Sequence, residues 1–248
     1  MSHHPTVDIL IPVYNEGKNI QPVIRELKSC VKTPFRILIC YDFDEDNTLT
    51  ALTPDLTEGL DIHLIKNRGR GVHAAIMTGF EKSHCPCVIV YPADDIDNAP
   101  ILDEMVEKWR EGAEIVAASR FIPGGCMIGC PWLKAALVRT VALSLYIVAG
   151  IPVHDPTNGF RLFSRRVLNE IPVESSQGFT YAIELLVKAH RLGWKVAEVP
   201  SKWFERKSGQ SRFKIFGWAR AYLRWYWYAY QTTFLGYGPQ SVTLKSSS

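Results

Sequence analysis

Residues 88–98 read VIVYPADDIDN, and this stretch joins an apolar strand to an acidic loop. Its first four residues predict a buried strand. Three carboxylates follow within four positions, at Asp94, Asp95 and Asp97. Carboxylates this close repel one another, and at the end of a buried strand they are costly unless a cation lies among them. The stretch therefore predicts a strand-end cation site; the alternative is an acidic surface turn that caps the next helix.

Strands and helices alternate on both sides of this stretch. Apolar runs predict strands at 7–13, 35–41, 60–65, 88–91 and 113–118. Helical periodicity between them predicts helices at 19–31, 48–56, 71–82 and 101–111. Strands that alternate with helices form βαβ units, so the pattern predicts an α/β fold with a mostly parallel sheet flanked by helices.

Each predicted strand is followed by a polar loop. These loops lie at 15–16, 42–47, 67–71, 94–97 and 119–120. Ligands of such sheets bind beyond the carboxyl ends of the strands, so five polar loops on one edge favour the cation site over a surface turn. Mg²⁺ and Mn²⁺ prefer carboxylate oxygens and share their ligand shell with substrate phosphates. The edge therefore predicts a metal that bridges a diphosphate.

Two of these loops are suited to bind other parts of a nucleotide, namely its base, sugar or phosphates. Asp42 can accept hydrogen bonds from a sugar hydroxyl or a base N–H, although an Asp in such a turn also bonds local backbone. Arg68 lies in NRGRG, which can present N–H groups and cations to phosphate at a helix N-terminus. Neither the G-x-G-x-x-G nor the G-x-x-x-x-G-K pattern is present, so dinucleotide and P-loop binding are not supported.

The second half of the chain is organised differently. It begins with an apolar helix at 131–148, which carries Lys134 and Arg139, and a turn that leads into a strand at 154–163. A helix with Glu184 at 178–192 and a further strand at 195–199 follow. A basic loop at 205–212 then precedes an aromatic helix at 216–234. Residues 243–248 are expected to form a loose tail. His154 and His190 are isolated histidines, which are more often structural than catalytic.

Positive charge is concentrated near the C-terminus. The formal net charge of the 248 residues is only +3, but residues 201–230 carry seven Lys and Arg against one acid, among eleven aromatic residues. Trp and Tyr prefer the bilayer interface, and neighbouring cations suit anionic headgroups. This predicts a protein held peripherally on the membrane surface; the alternative is an aromatic helix packed on the core. Nucleic acid is not expected as a partner, because the acidic loop tips would repel it.

Two further features concern location. The six cysteines lack zinc-site spacing and are expected to be reduced thiols. No signal peptide opens the chain, and no run of about 18 uncharged apolar residues predicts a transmembrane helix. We therefore expect a cytoplasmic location.

The order of the motifs resembles family 2 glycosyltransferases, and among them the polyprenyl-phosphate sugar transferases of the dolichol-phosphate mannosyltransferase type. The resemblance spans nearly all of residues 6–213. The matching stretches are ILIPVYNEGKNI (9–20), YDFDEDNT (41–48), NRGRG (67–71), YPADD (91–95), SRFIPGG (119–125), DPTNGFRLF (155–163) and RKSGQSRF (206–213). Single stretches are weak signals, but the ordered set is specific.

The resemblance implies a GT-A fold over residues 1–213. Beyond it, the composition predicts an aromatic basic helix at 214–240, at the membrane surface if the membrane prediction holds, and a tail at 241–248. The resemblance also implies transfer of a sugar from a GDP- or UDP-sugar to a polyprenyl phosphate, with inversion and with Mg²⁺ or Mn²⁺. The donor side would be formed by Pro12, Tyr14 and Glu16 around the nucleotide, Asp42 at the base and Asp94 at the metal. The acceptor phosphate would be bound by Arg120, Lys134 and Arg139.

One position departs from the family pattern. Pro92 stands where the family has the first Asp of its D-x-D motif, so Asp94 would hold the metal with help from Asp95 or Asp97. This departure leaves open a non-catalytic nucleotide-binding protein as an alternative.

The chemistry assigns further residues. A diphosphate leaving group needs positive charge, which a metal at Asp94 together with Arg206 or Lys207 can supply. A phosphate acceptor is already ionised and needs no strong base. If the acceptor is instead a saccharide hydroxyl, a base is needed and Glu184 is the candidate. The alternative role of Glu184 is a helix-surface residue that pairs with Lys188 at i+4.

Overall fold

A computed structural model describes residues 5–205 and 215–245, without the side chains of residues 215–219. The strands are β1 (Val7–Pro12), β2 (Phe35–Tyr41), β3 (Ile62–Lys66), β4 (Cys87–Val90), β5 (Ile115–Ser119), β6 (Cys126–Ile128), β7 (Arg161–Ser164), β8 (Val196–Pro200) and β9 (Lys202–Phe204). The helices are α1 (Ile20–Cys30), α2 (Asn47–Ala51), α3 (Pro54–Thr57), α4 (Gly71–Lys82), α5 (Leu102–Arg110), α6 (Trp132–Ile147), α7 (Arg165–Glu170), α8 (Thr180–Arg191) and α9 (Ile215–Phe234).

A central sheet has the strand order β3-β2-β1-β4-β7-β5-β8. The strands β1 to β4 pair in parallel, as do β5 and β8, whereas β7 is antiparallel to both of its neighbours. All residues of β4 and β5 are buried, as expected for strands covered by helices on both faces. The predicted α/β fold with a mostly parallel sheet flanked by helices is therefore confirmed.

Helices pack closely on both faces of this sheet. One face buries the apolar stripe of α1, formed by Ile20, Val23, Ile24 and Leu27. On the other face α4 approaches β1 so closely that a Cβ at Gly79 would lie 2.2 Å from Cδ1 of Leu10. This contact fixes the position of α4 against the sheet. The first turn of α4 follows the loop after β3 and holds that loop at the carboxyl edge of the sheet.

A second, small sheet pairs β6 in parallel with β9. It was not predicted from the sequence, because each strand has three residues and their pairing joins positions 76 residues apart. The strand β9 ends at Phe204, directly before the basic loop. Arg206 and Lys207, the predicted cations of that loop, lie outside the described residues.

The aromatic helix α9 packs on the body of the protein. Trp225 and Ala229 are buried in a cluster with residues of α8 and with the segment after α6. The packed-helix alternative therefore holds for this face of α9. Trp225, one of the eleven aromatic residues of 201–230 that favoured a membrane surface, is only 2% exposed. Trp227 is 61% exposed on another face of the same helix. Among the described residues, no helix is both long and apolar enough to cross a membrane.

The last described residues do not form the loose tail that was expected. The backbone N–H of Lys245 donates to the carbonyl of Glu170, and its Nζ donates to the carbonyl of Leu168 at 2.7 Å. These bonds attach the chain to α7 as far as residue 245.

Candidate active site

The loops after β1 and β2 are joined by hydrogen bonds. The Asp46 carboxylate accepts from the backbone N–H of Asn15 at 2.9 Å and from that of Thr48 at 2.8 Å, where it caps α2. Asn15 adopts a positive φ of 53°, a conformation that Asn tolerates better than most residues. Asp46 is almost fully buried, so it is a structural residue of this edge rather than a ligand-binding one.

The residues predicted to surround the nucleotide lie on this joined pair of loops. Pro12 ends β1, and Tyr14 is exposed with its ring edge-on to Phe43, 5.5 Å between centroids. The backbone N–H of Glu16 donates to Thr48 Oγ1 at 3.0 Å. The aromatic pair offers a stacking surface at the carboxyl edge, as a base requires.

Asp42 connects the end of β2 to the loop after β3. One carboxylate oxygen accepts from Asn67 Nδ2 at 2.7 Å and the other from the backbone N–H of Gly71 at 2.8 Å. Gly71 has a φ of +83°, which favours glycine, and it opens α4. A carboxylate has about four acceptor sites, so Asp42 can hold this loop and still accept from a base.

Arg68 is held on the outside of the same loop. Its guanidinium donates to Glu81 at 2.8 Å in an exposed ion pair on α4. Exposed pairs of this kind contribute little to stability, so the side chain can exchange this partner for a phosphate. A phosphate role for Arg68 stays a prediction.

The acidic loop after β4 has an internal anchor. Asp95 accepts hydrogen bonds from the backbone N–H groups of Asp97 and Asn98 and from Asn98 Nδ2. Burial raises the pKa of Asp95, and these hydrogen bonds offset only part of that effect. Asn98 Nδ2 also donates to the carbonyl of Lys202, and Asn98 Oδ1 accepts from the N–H of Lys202. The loop is thus fixed to the start of β9.

Asp94 and Asp97 are the exposed carboxylates of this loop. Among the described residues, no group of three or more His, Cys, Asp and Glu side chains is arranged to hold a metal. One or two carboxylates are nevertheless the donor set from which Mg²⁺ is bound when substrate phosphates complete its shell. The residues present therefore fit a metal shared with a diphosphate. Asp95 already serves the loop, and its role as a direct ligand stays a prediction.

Arg120 follows β5 and forms a buried ion pair. Its Nε and Nη2 donate to the two carboxylate oxygens of Asp155 at 2.6 and 2.9 Å, and its backbone N–H donates to the same group. Burial acts to lower the pKa of Arg120, but Asp155 more than offsets this and the pKa is raised. Asp155 is fully buried, so this pair fixes the guanidinium in one orientation.

A cavity of about 370 Å³ lies against this ion pair. Arg120, Arg139 and Phe121 line it, together with Tyr146 and His154. The guanidinium carbons of Arg120 and Arg139 lie 5.2 and 5.5 Å from the ring centroid of Phe121. The structure therefore brings two of the three predicted acceptor-phosphate residues together.

The third predicted residue of this group, Lys134, is not part of the cavity lining. It lies in the first turn of α6, with Nζ 5.5 Å from the ring centroid of Trp203 on β9. This position is beside the small sheet that leads to the basic loop.

Glu184 is fully buried, so its alternative role as a helix-surface residue is wrong. Its carboxylate accepts from the backbone N–H groups of Glu174 and Ser175 and from Lys188 Nζ at 2.7 Å. Lys188 is the predicted i+4 partner, but it is buried too and also pairs with Glu174. The helical periodicity of residues 178–192 could not show that residues 172–179 pack over this face of α8. Glu184 as a base stays a prediction for a saccharide acceptor only.

Three residues at this edge were missed by the sequence reasoning as site residues. Asp155 was only part of a matching motif, Asn98 was taken as loop, and Glu198 of β8 was not considered. The signal for Asp155 and Glu198 is a charged side chain on or beside a strand of the central sheet, where burial requires an ionic or hydrogen-bonding partner.

The fold and its polar edge are those expected of a glycosyltransferase. The chain belongs to glycosyl transferase family 2, whose model matches residues 8–172. This confirms the resemblance drawn from the ordered motifs.

Curated relatives cover most of the chain. A polyprenol monophosphomannose synthase of Mycolicibacterium smegmatis is 28% identical over 213 residues, which are 82% of this chain and 79% of that protein. An undecaprenyl-phosphate mannosyltransferase of Micrococcus luteus is 25% identical over 82% of this chain and 85% of its own length. A dolichol-phosphate mannosyltransferase of Pyrococcus furiosus is 24% identical over 84% of this chain, which spans 59% of that protein.

Solved structures share the fold. A glucosyl-3-phosphoglycerate synthase from Mycobacterium tuberculosis in complex with UDP has a TM-score of 0.66 at 18% identity, over 91% of this chain and 80% of that chain. The same enzyme with Mn²⁺, UDP and glucosyl-3-phosphoglycerate has a TM-score of 0.65 at 17% identity, over 89% and 78%. At these identities the likeness shows the fold alone.

Proposed function

We propose that this glycosyltransferase transfers a hexose from a nucleoside-diphosphate sugar to a polyprenyl phosphate, with a divalent metal and with inversion. The observation that carries the proposal is the cavity at Arg120 and Arg139, because it combines two guanidinium groups with an apolar helix beside them. Guanidinium groups match phosphate geometry, and the helix suits a prenyl chain. The names of the three curated relatives support the same acceptor class.

The donor would bind across the loops after β1 to β4. Tyr14 and Phe43 would border the base, and Asp42 would accept from it. Asp94 with Asp97 would hold Mg²⁺ or Mn²⁺ through carboxylate oxygens. When bound, the metal would neutralise charge that develops on the diphosphate as it leaves.

The reaction is a single displacement. An oxygen of the acceptor phosphate forms a bond to the anomeric carbon while the bond from that carbon to the diphosphate oxygen breaks, and the nucleoside diphosphate leaves with the electron pair. The attacking oxygen is already ionised, so no proton has to be removed from it. No general base is therefore required, which agrees with Glu184 being buried and already hydrogen-bonded. The task of Arg120 and Arg139 would be to place the phosphate for in-line attack.

Apolar surface supports a lipid-borne acceptor. The helix α6 buries only Ala142 and Leu145, although most of its residues are apolar. Its large exposed apolar side chains are Trp132, Leu133, Leu137, Leu143, Tyr146 and Ile147. The helix α9 adds Leu223, Trp227 and Phe234. A monomer rarely exposes so many large apolar side chains on two neighbouring helices unless they meet a lipid or another partner.

The test is a matrix of donors and acceptors. Purified protein is incubated with GDP-mannose or UDP-glucose, with undecaprenyl phosphate or a monosaccharide, and with Mn²⁺ or EDTA, and products are identified by mass. We expect a hexosyl-phosphoryl-polyprenol that forms only with metal. A product on the saccharide hydroxyl would establish that acceptor class instead, and nucleotide binding without any product would establish the non-catalytic alternative.

Membrane attachment gives a separate prediction. Because Trp225 is buried, we expect attachment to depend on the exposed residues Trp132, Leu137 and Trp227. Replacing these three with serine should abolish flotation with vesicles that contain anionic lipid, and added salt should weaken flotation of the unmodified protein.

The control for this experiment is Leu64→Ser, which changes an exposed apolar residue of β3, the strand at the opposite edge of the sheet from β8. It should float like the unmodified protein. Flotation of the triple variant at the unmodified level would contradict attachment through α6 and α9.

A further inference from the structure

His154 is held by contacts on two sides at the edge of the acceptor cavity. Its Nδ1 is hydrogen-bonded to Glu198 Oε1, and its backbone N–H donates to Glu198 Oε2 at 2.9 Å. The ring of Tyr146 stacks on the imidazole with 4.0 Å between centroids and 27° between planes. One carboxylate thus holds both the backbone and the ring of the same residue, which fixes the orientation of the imidazole.

The Glu198 contact determines which ring nitrogen faces the cavity. An ionised carboxylate only accepts hydrogen bonds, so Nδ1 carries the proton that is shared with Glu198. Within residues 5–205 and 215–245, Nε2 has no hydrogen-bond partner. Because His154 lines the cavity, Nε2 is the ring nitrogen that is left for a ligand there.

The neighbouring charges suit an anion. Arg120 and Arg139 line the same cavity, whereas the nearby carboxylates of Asp155 and Glu198 are engaged by Arg120 and by His154 itself. A phosphate monoester carries up to two negative charges and presents three oxygens. An ionised phosphate oxygen only accepts hydrogen bonds, so beside it Nε2 would donate as Nδ1 does to Glu198. Together with the guanidinium groups of Arg120 and Arg139, the imidazole would give each of the three oxygens a donor.

We infer that His154 is a third phosphate-binding residue of the acceptor cavity: Glu198 holds Nδ1–H, and Nε2–H donates to an oxygen of the acceptor phosphate. His154 touches the substrate, whereas Glu198 acts through His154 and is a positioning residue. The inference rests on the proposed function, because it assumes that this cavity receives a phosphate monoester. His154 had no such predicted role, because its partner Glu198 lies 44 residues away in the chain.

Two conservative substitutions separate phosphate binding from a purely structural role. The side-chain amide of Asn reaches the position of Nδ1 and can keep the Glu198 contact, whereas that of Gln reaches the position of Nε2 and can keep a contact in the cavity. The probe is citronellyl phosphate, a short prenyl phosphate, with citronellol as the matched ligand that lacks phosphate. Affinity is measured by titration calorimetry without donor, so the result does not depend on turnover.

We expect His154→Asn to weaken citronellyl phosphate binding by about tenfold or more, as for loss of a hydrogen bond to a charged group. His154→Gln should stay within about threefold of the unmodified protein. Affinity for citronellol should be the same in the unmodified protein and in both His154 variants. In full assays with undecaprenyl phosphate, the Asn variant should raise the acceptor KM and leave the donor KM unchanged.

The same substitutions at His63 are the control, because His63 also pairs with a carboxylate, Asp61, but lies on β3. Equal or greater loss in the Gln variant than in the Asn variant would overturn the inference and leave His154 as a structural partner of Glu198. Failure of the unmodified protein to bind the probe would overturn it as well. If the Asn variant binds citronellyl phosphate more weakly than the Gln variant and the unmodified protein, but no sugar is transferred to any polyprenyl phosphate, the inference is upheld and the proposed function is rejected.

Discussion

Replacing Asp94 with alanine is expected to lower turnover by about 10²–10³-fold while the protein stays folded. Asp94 is exposed on the loop after β4, so we expect the variant to keep its core packing. If it holds the metal, the variant loses the charge that stabilises the departing diphosphate. Such a group acts mainly in the transition state, and the loss should therefore appear in kcat.

The measurement is steady-state turnover at saturating donor and acceptor, over a range of Mn²⁺ concentrations. Thermal unfolding of the same samples checks that the variant is folded. The control is Asp44→Ala, since Asp44 is an exposed acid of the loop after β2 that pairs with Lys66. We expect this control to keep nearly full activity. Full activity of the unmodified protein in excess EDTA would contradict a metal role for Asp94.

The strands and helices that carry the loops after β1 to β4 were predictable because each follows one local pattern. The helix α4 is predicted at 71–82 and found with the same bounds, since it begins at Gly71 after a Gly-rich turn and ends before an extended residue at Ser83. The strands β6 and β9 were not predictable, because three residues carry no periodicity and their pairing depends on contacts distant in sequence.

The polar edge was predictable as a place but not as a set of contacts. Parallel strands bring their carboxyl ends together, so the loops after β1 to β5 had to share one edge. Which side chain pairs with which depends on the tertiary fold. Arg120 was expected to bind only phosphate, and the sequence could not show that Asp155, 35 residues away, holds it.

Burial was the least predictable property of the C-terminal half. Trp225 and Trp227 are two positions apart in one aromatic run, yet one is in the core and the other is exposed. Residues two positions apart on an α-helix are rotated by about 200° around its axis, so their side chains face nearly opposite sides. Composition marked the run as aromatic and basic, but only the packing of α9 shows which members are available to a membrane.

Replacing Arg120 with alanine is expected to lower the free energy of unfolding by about 3–5 kcal/mol. The reason is Asp155, which is fully buried and would lose its bidentate partner. Burial lowers the pKa of Arg161 to about 10, and Asp155 acts in the opposite direction, so Arg161 remains a cation that partly compensates. This favours the lower end of the range. Urea unfolding of the variant measures the loss.

The control for stability is Arg110→Ala, which breaks an exposed pair with Glu107 on α5. Exposed pairs contribute about 0–1 kcal/mol, so this variant should unfold close to the unmodified protein. Equal losses in the two variants would show that Asp155 does not depend on Arg120.

Arg120→Lys tests the acceptor role in a protein that keeps the charge. Lysine cannot form the two parallel hydrogen bonds that a guanidinium makes with Asp155, so its ammonium group would be placed less well for the phosphate. We expect the acceptor KM to rise or kcat to fall, with little change in nucleotide affinity. The loops after β1 to β4, which are proposed to bind the donor, contribute no residue to the lining of the cavity at Arg120. An equal loss of nucleotide affinity would therefore contradict the assignment of Arg120 to the acceptor and place it at the donor instead.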